Sequence, residues 1–227
     1  MKKILVVLTN TVTYGNTDAV TGLWLSEATD FVNEVTKAGY SVDYVSPKGG
    51  YVPIDPRSLK ALEDETVELY KNREFQKRAL AESAKPEDLS SSDYVAVYYT
   101  GGHGVMWDFT DNNSLDKISR QIYEDGGYLT SVCHGIAGLL NLKDSDGNYI
   151  IKGKNITGFT DSEEKLSGKS SVVPFSNEKV AEEHGANFKK KMPFTVNVIQ
   201  DGRIITGQNP QSPKEVADIL LENLSKN

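Results

Sequence analysis

The chain of 227 residues contains one cysteine, Cys133, and a histidine, His134, directly follows it. A thiolate beside an imidazole is a strong nucleophile, and cysteine enzymes use such a pair to form covalent intermediates. A lone cysteine is nevertheless more often a small buried side chain than a reactive one. The dipeptide by itself therefore favours a structural role, and the surrounding residues must supply any argument for catalysis.

The residues around Cys133 predict a sharp turn between a strand and a helix. The apolar run YLTSV (128–132) precedes Cys133, the helical segment IAGLLNL follows shortly after, and the flanking residues are small. Such a turn, a nucleophile elbow, holds its side chain in a strained and exposed position. The N-terminal end of the following helix favours negative charge, so the sequence predicts an exposed thiol with a stabilised thiolate.

The sequence GGHG (101–104) directly follows another predicted strand, DYVAVYYT (93–100). Glycines let the backbone turn sharply, and their N–H groups can bind an oxyanion. A plain strand-to-helix loop or a phosphate-binding loop would also use glycine, but the chain has neither GxGxxG nor GxxxxGK[ST]. Two such loops at neighbouring strand ends favour one shared site that contains Cys133.

Glu27 is the third candidate. It lies in a predicted helix, between apolar residues that precede it (Leu23, Trp24) and follow it (Ala28, Phe31). A carboxylate beside a stripe that faces the core is costly, so it lies either at the solvent edge or in a site that raises its pKa. The spacing alone favours the solvent edge.

Short apolar runs alternate with amphipathic segments along the chain. The predicted strands include 2–9, 40–46, 93–100, 128–132, 154–160 and two within 194–207, and the predicted helices include 21–39, 114–127 and 212–227. This order predicts an α/β three-layer sandwich with a mostly parallel sheet flanked by helices. Ligands bind such sheets beyond the carboxyl ends of the strands, where the glycine loop and Cys133 lie. We expect a single domain over residues 1–227, with a helical surface insertion around residues 50–90.

The composition limits the partners and the compartment. A net charge of −7 argues against nucleic acid, and no apolar stretch approaches the ~20 residues that a membrane helix needs. The start, MKKILVVLTNT, predicts a first strand and not a signal peptide. A single cysteine cannot form an internal disulfide, which is typical of the reducing cytoplasm. We therefore expect a cytoplasmic protein with no nucleic-acid or membrane partner.

In combination these motifs resemble the DJ-1/PfpI superfamily, and within it the Hsp31-like glyoxalase III group of glutathione-independent D-lactate dehydratases. The segments TGLWLSEATDF, GGHGVMWDF, EDGGYLTSVCHGIAGL, KNITGFTDSEE and DGRIITGQNP carry the likeness, in that order. It extends from Lys3 to about Pro213. The resemblance implies a flavodoxin-like fold, similar to that of class I glutamine amidotransferases.

The resemblance also implies roles for individual residues. Cys133 matches the nucleophile, His134 the histidine beside it, and Glu27 the helix glutamate that contacts the thiol. Gly102 and the backbone N–H of His134 match the oxyanion-binding positions. His103 matches the histidine of the glycine loop, with two open roles, contact with substrate or support of the loop.

Glu164 matches the acidic residue that orients the histidine in this group. Glu163 and Asp161 lie close by in the sequence, so an error of register would exchange one acid for another. The resemblance implies neither a cofactor nor a metal at this site.

The implied reaction is the conversion of methylglyoxal to D-lactate without glutathione, through a hemithioacetal on Cys133, in a stress-protective role. Glu27 or His134 would be the base that moves the proton between the two carbons. Other functions use the same residues: a cysteine amidase or peptidase, a deglycase, or a cysteine oxidation sensor. A holdase chaperone for unfolded protein clients would instead use an exposed apolar surface. The expected assembly is a homodimer.

Overall fold

The computed structural model describes residues 3–60 and 62–226 and contains the predicted alternation of strands and helices. The first position of the predicted opening strand and the last position of the predicted closing helix lie outside the described residues. The strands are β1 (Lys3–Val7), β2 (Val42–Val45), β3 (Tyr94–Tyr99), β4 (Tyr128–Val132), β5 (Asn155–Ile156), β6 (Asn187–Phe188), β7 (Val198–Asp201) and β8 (Ile204–Gly207). The helices are α1 (Leu25–Lys37), α2 (Asp64–Lys71), α3 (Arg73–Phe75), α4 (Val105–Asp108), α5 (Asn113–Glu124), α6 (Ala137–Leu140), α7 (Asp161–Ser167), α8 (Asn177–Glu183) and α9 (Pro213–Leu224).

Six strands form one sheet in the order β2-β1-β3-β4-β8-β7. The first five are mutually parallel, and β7 joins β8 as an antiparallel hairpin at one edge. Strands β1, β3 and β4 are almost continuously buried, as expected for parallel strands covered on both faces. The predicted α/β sandwich with a mostly parallel sheet is confirmed.

Adjacent residues of β3 show how the two layers of helices are held. Side chains of a strand alternate between faces, so Tyr98 and Tyr99 point to opposite sides of the sheet. Tyr98 stacks on Phe31 of α1 with ring centroids 3.7 Å apart, and Tyr99 meets Phe109 edge-on at 5.3 Å. Each tyrosine belongs to a separate buried apolar cluster, one under α1 and α9 and the other under α5, α6 and α8.

The run 154–160 differs from its prediction. Only Asn155–Ile156 is a strand, and it pairs with β6 in a separate two-stranded sheet that the sequence did not indicate. The rest of the run crosses the end of β4, where the N–H of Phe159 donates to the carbonyl of Cys133. Gly158 allows this contact, since a Cβ there would lie 2.6 Å from Ile136. The apolar character of the run thus covers the elbow instead of extending the sheet.

The region predicted as a helical surface insertion contains α2, α3 and a π-helical turn over Gln76–Ala81. Before these helices, the chain is tied to the segment that leads into α1. The N–H of Leu23 donates to the carbonyl of Pro53, and the N–H of Asp55 donates back to the carbonyl of Leu23. This pairing brings the 3-10 turn Pro56–Leu59 to the carboxyl end of the sheet. No helix among the described residues is long and apolar enough to cross a membrane.

Candidate active site

Cys133 occupies the strained turn that the sequence predicts. It follows β4 directly and has a φ of +57°, a left-handed conformation that is rare for residues other than glycine. The chain then enters a 3-10 turn, Cys133–Ile136, and the short helix α6. Gly135 makes the turn fit, because a Cβ there would lie 2.3 Å from the carbonyl oxygen of Tyr99. The backbone of a nucleophile elbow is present.

The predicted exposure and ionisation of Cys133 are wrong. Its side chain is only 3% exposed and lies at the floor of a cavity. Burial and then the nearby carboxyl of Glu27 raise the pKa of Cys133 well above its ordinary value, although the N–H of His134 opposes this shift. The 3-10 turn that begins at Cys133 and the helix α6 are each only four residues long, so their dipoles are too weak to outweigh burial.

Glu27 lies in the first turn of α1 and is completely buried, so the solvent-edge position favoured by spacing alone is wrong. The hydroxyl of Tyr98 donates to its backbone carbonyl at 2.7 Å and fixes this turn against the sheet. Burial raises the pKa of Glu27 to about 8, partly offset by the Cys133 thiol and the N–H of Gly101. Both contacts are looser than ordinary hydrogen bonds, because neither carboxyl oxygen has a partner at hydrogen-bond geometry in the described part of the chain.

Glycine is required beside Glu27. A Cβ on Gly101 would lie 2.4 Å from Oε2 of Glu27 and 2.9 Å from Cβ of Cys133. At the next position, Gly102 has a φ of +100°, and a Cβ there would lie 2.2 Å from the carbonyl oxygen of Gly22. The glycine loop therefore packs without side chains between α1 and the elbow, and Gly102 borders the cavity together with Cys133.

His134 lies between Cys133 and Glu164. Its Nδ1 is 3.3 Å from Sγ of Cys133, and its Nε2 is 2.7 Å from Oε2 of Glu164. Burial raises the pKa of Glu164, but hydrogen bonds from His103 and His134 outweigh burial and hold it well below its usual range. Glu164 is thus an ionised acceptor, so Nε2 of His134 donates to it and Nδ1 faces the sulfur.

His103 is bound to the same carboxylate. Its Nε2 lies 2.7 Å from Oε1 of Glu164, its Nδ1 lies 2.9 Å from Nη2 of Arg57, and its ring centroid is 4.1 Å from that of His134. Burial and the neighbouring His134 lower the pKa of His103 to about 4, so the ring is neutral at physiological pH. The sequence left two roles open for His103, contact with substrate or support of the loop. The contact with Glu164 belongs to neither.

The acids close to Glu164 have other partners. Oδ1 of Asp161 accepts a hydrogen bond from Ser176. Glu163 forms a capping box with Thr160 at the start of α7, and its other oxygen accepts from the N–H of Phe194. Of these three acids, Glu164 is the one that the structure places against His134.

A cavity of about 690 Å³ opens above the thiol. It is bordered by Gly102, His103, Cys133 and His134, by an apolar wall (Trp24, Phe159, Phe194, Val196 and Pro210) and by charged residues (Asp30, Arg57, Glu63 and Lys214). Six of the residues predicted for the site, Glu27, Gly102, His103, Cys133, His134 and Glu164, thus lie together at the carboxyl end of the sheet.

The model of the DJ-1/PfpI family matches residues 19–223. The chain belongs to the DJ-1/PfpI family. Glutathione-independent glyoxalase HSP31 of Saccharomyces cerevisiae is 35% identical to it, over 95% of each chain. The crystal structure of glyoxalase III from Candida albicans is 32% identical, covers 97% of this chain and 96% of its own, and has a TM-score of 0.89. The X-ray structure of Rapid Encystment Protein 24 kDa from Francisella tularensis is 36% identical, covers 99% of each chain and has a TM-score of 0.95.

The resemblance seen in the sequence is therefore confirmed for family and fold. What the sequence reasoning missed in this DJ-1/PfpI protein is the distal wall of the site. Arg57 lies in the stretch PKGGYVPIDPRS, whose prolines and glycines predict only an irregular loop. Phe159 lies in a run predicted as a strand, and its ring centroid is 4.2 Å from that of His134. A run of prolines and glycines gives no local sign of a functional residue here, because His103 and the aromatic rings that Arg57 contacts come from other segments.

His103, His134 and Glu164 are also residue types that bind metals, and their ligand atoms lie within 4.8 Å of one another. A metal would need the lone pair on Nε2 of His103. The Arg57 guanidinium can only donate, so it requires the lone pair of His103 to be on Nδ1 and the proton to be on Nε2. The cluster is therefore arranged for hydrogen bonding in preference to metal ligation.

Proposed function

We propose that this DJ-1/PfpI protein is a glutathione-independent glyoxalase that converts methylglyoxal to D-lactate. The carrying observation is the Cys133 thiol at the cavity floor, in contact with Glu27 and 3.3 Å from an imidazole that Glu164 orients. The names of its relatives from Saccharomyces cerevisiae and Candida albicans support the same activity. Unfolded protein clients, a homodimer and a cytoplasmic location stay predictions from the sequence.

The Cys133 thiol is activated by His134 on one side and by Glu27 on the other. Nδ1 of His134 carries no proton, because Nε2–H is donated to Glu164, so Nδ1 accepts the proton of the thiol. Glu27 is protonated below a pH of about 8 and donates a hydrogen bond to the thiolate that forms. The buried thiol thus ionises only with help from both sides, which compensates for its raised pKa.

Addition and isomerisation follow at the two carbonyl carbons of the substrate. The sulfur bonds to the aldehyde carbon, and the oxyanion, held by the N–H groups of Gly102 and His134, takes the proton from the His134 imidazolium. Neutral His134 then removes the hydrogen of this carbon as a proton and returns it to the ketone carbon. The hydroxyl proton passes to the ketone oxygen, and the product is a lactoyl thioester. We assign the base to His134 because it borders the cavity, whereas Glu27 is fully buried.

Hydrolysis completes the cycle. Water adds to the thioester carbon, the carbon–sulfur bond breaks, and Cys133 recovers its proton through His134. The net reaction consumes one methylglyoxal and one water and releases lactate and one proton. Since His134 approaches the ketone carbon from one side of the enediol, one enantiomer forms.

The test is the enzymatic measurement of D-lactate formed from methylglyoxal in the absence of glutathione. We expect turnover by the wild type and none by Cys133→Ala, because no other thiol exists in the chain. His184→Ala is the control, since His184 binds the carbonyl of Leu140 away from the cavity. A wild type without activity, or a Cys133→Ala variant that retains it, would contradict the proposal.

A further inference from the structure

We propose that Arg57 is a positioning residue that fixes the tautomer of His103 and, through Glu164, directs the free nitrogen of His134 at Cys133. This inference rests on the proposed function only for its kinetic consequence. The hydrogen bonds run in one unbroken chain from Asp55 through Arg57, His103 and Glu164 to His134.

Arg57 is held in one orientation by a fully buried carboxylate. Its Nε lies 3.0 Å from Oδ1 of Asp55 and its Nη2 lies 2.7 Å from Oδ2, a two-point contact that fixes the guanidinium plane. Asp55 also accepts from the backbone N–H of Arg57 at 2.9 Å and from the Thr21 hydroxyl at 3.1 Å. These contacts hold the pKa of Asp55 below its usual range despite its burial, so the partner of Arg57 is permanently charged.

Two aromatic rings lie within cation–π distance of the Arg57 guanidinium, and one of them also contacts His103. Its central carbon lies 5.6 Å from the ring centroid of Tyr14 and 5.7 Å from that of Trp24, within the range of cation–π contacts. The Tyr14 ring in turn lies 5.3 Å from the ring of His103. Arg57 and His103 therefore both pack against the Tyr14 ring, which limits the orientations open to the two side chains.

Arg57 and the ionised Glu164 together fix the direction of every proton in this chain of hydrogen bonds. A guanidinium is a donor only, so Nδ1 of His103 must accept, at 2.9 Å, and the ring proton must be on Nε2. That N–H donates to Oε1 of Glu164 at 2.7 Å, which leaves Oε2 to accept from Nε2 of His134. With its proton on Nε2, His134 presents an unprotonated Nδ1 to the thiol.

The opposite tautomer of His103 would break this arrangement. A proton on Nδ1 would face the N–H of Arg57, and the lone pair on Nε2 would face the ionised Glu164. Glu164 would then turn or take up a proton, and in either case His134 would lose its fixed acceptor. Removing the acceptor that fixes the tautomer of a catalytic histidine is known to lower kcat strongly in triad enzymes. Here that acceptor is Glu164, and Arg57 acts two residues beyond it, through His103.

The experiment combines ring-nitrogen NMR with kinetics on the full chain. In ¹⁵N-labelled wild type we expect His103 to carry its proton on Nε2. In Arg57→Leu only Glu164 still favours this tautomer, so the share of the tautomer with its proton on Nδ1 increases. In the same variant kcat for methylglyoxal falls at least about tenfold while KM changes less than about threefold, the pattern of a lost transition-state interaction. Arg57→Lys, which keeps a donor but not the two-point geometry, recovers part of kcat.

The matched control is Arg78→Leu. Arg78 also pairs with a carboxylate, Asp43 at 2.7 Å, and lies over an aromatic ring, Tyr44 at 5.7 Å, but away from the cavity. This variant should keep the kcat of the wild type.

Two results would overturn the inference. The first is a wild-type His103 that carries its proton on Nδ1, a result that can be obtained even if no Arg57 variant folds. The second is an Arg57→Leu variant with an unchanged tautomer of His103 and an unchanged kcat. An inactive wild type whose His103 carries the proton on Nε2 overturns the proposed reaction and leaves the assignment of the tautomer intact.

Discussion

Glu27 controls the charge beside the nucleophile. A carboxyl group in the first turn of a helix would normally ionise readily, because the helix dipole favours an anion there. Burial reverses this preference and raises the pKa of Glu27 to about 8. A neutral carboxyl can donate to a thiolate, whereas a carboxylate at the same place would repel it. The protonation of Glu27, together with the proton acceptor Nδ1 of His134, therefore decides whether Cys133 can ionise.

We expect the kcat/KM of the wild type to fall as the pH rises through about 8, because Glu27 then becomes charged. In Glu27→Gln the amide is neutral at every pH, so this alkaline fall should disappear, while the rate at pH 7 stays within roughly tenfold of the wild type. The measurement is kcat/KM for methylglyoxal between about pH 5.5 and 10. An unchanged alkaline fall in the variant would show that the ionisation of Glu27 does not cause it.

The same substitution, Glu27→Gln, also tests whether Glu27 is buried, through the pH dependence of its effect on stability. The folded pKa of about 8 exceeds the ordinary value of 4.5, so the folded state binds the proton more tightly than the unfolded state. The contribution of Glu27 to stability is therefore lost progressively as the pH rises from about 4.5 to about 8. The Tm of Glu27→Gln relative to the wild type should increase over this interval, and a constant difference would contradict a buried Glu27.

At the scale of elements, the helix α7 connects the hydrogen-bonded pair of histidines to the cavity wall. Glu164 on α7 meets both histidines. Its neighbour Glu163 is completely buried and forms no ion pair with any residue that the structure describes. Oε2 of Glu163 accepts from the N–H and hydroxyl of Thr160. Oε1 accepts from the N–H of Phe194 and from the amides of Gln208 and Asn209. One carboxylate thus holds the start of α7 and the strained Phe194, whose φ is +56°.

Glu163→Gln should loosen the wall formed by Phe194. The amide replaces one acceptor oxygen with a donor that faces other donors, so about 1–3 kcal/mol of unfolding free energy should be lost. The KM for a bulky substrate such as phenylglyoxal should change more than that for methylglyoxal. Urea unfolding and the two KM values test this, with the exposed Asp161→Asn on the same helix as control. Equal stability of the two variants would contradict the anchoring role.

At the scale of the molecule, one part of the apolar core is separate from catalysis. The site lies at the carboxyl ends of the strands, whereas α1 and α9 cover one face with a continuous apolar cluster. Val216, Ala217 and Leu220 of α9 are fully buried in this cluster. The cluster reaches the cavity at Cys133 and Phe159, but these three side chains of α9 do not border it.

Leu220→Ala should lower the unfolding free energy by about 2–5 kcal/mol, the usual cost of emptying a core position. For a chain of this length each kcal/mol corresponds to about 2–4 °C in Tm. At 25 °C kcat should stay at the wild-type value, because Leu220 packs in the apolar cluster and does not border the cavity. Calorimetry and a methylglyoxal assay check this, with Leu166→Ala as control, since Leu166 is 67% exposed. A large loss of kcat with little change in Tm would contradict the separation.

The sequence by itself determined what depends on neighbours along the chain. Apolar runs and glycines placed Cys133 and the glycine loop at strand ends, and parallel strands necessarily bring those ends to one edge. The resemblance to a family added Glu27 and Glu164, which spacing alone would have left on the surface or unassigned.

The tertiary structure decided burial, pKa and hydrogen-bond direction. The thiol is buried instead of exposed, and Glu27 is buried and neutral instead of lying at the solvent edge. Arg57 joins the site from a loop whose sequence contains no sign of a functional residue. These properties depend on which atoms surround a group, and those atoms come from segments far apart in the chain. No local pattern contains that information, so only the folded chain could supply it.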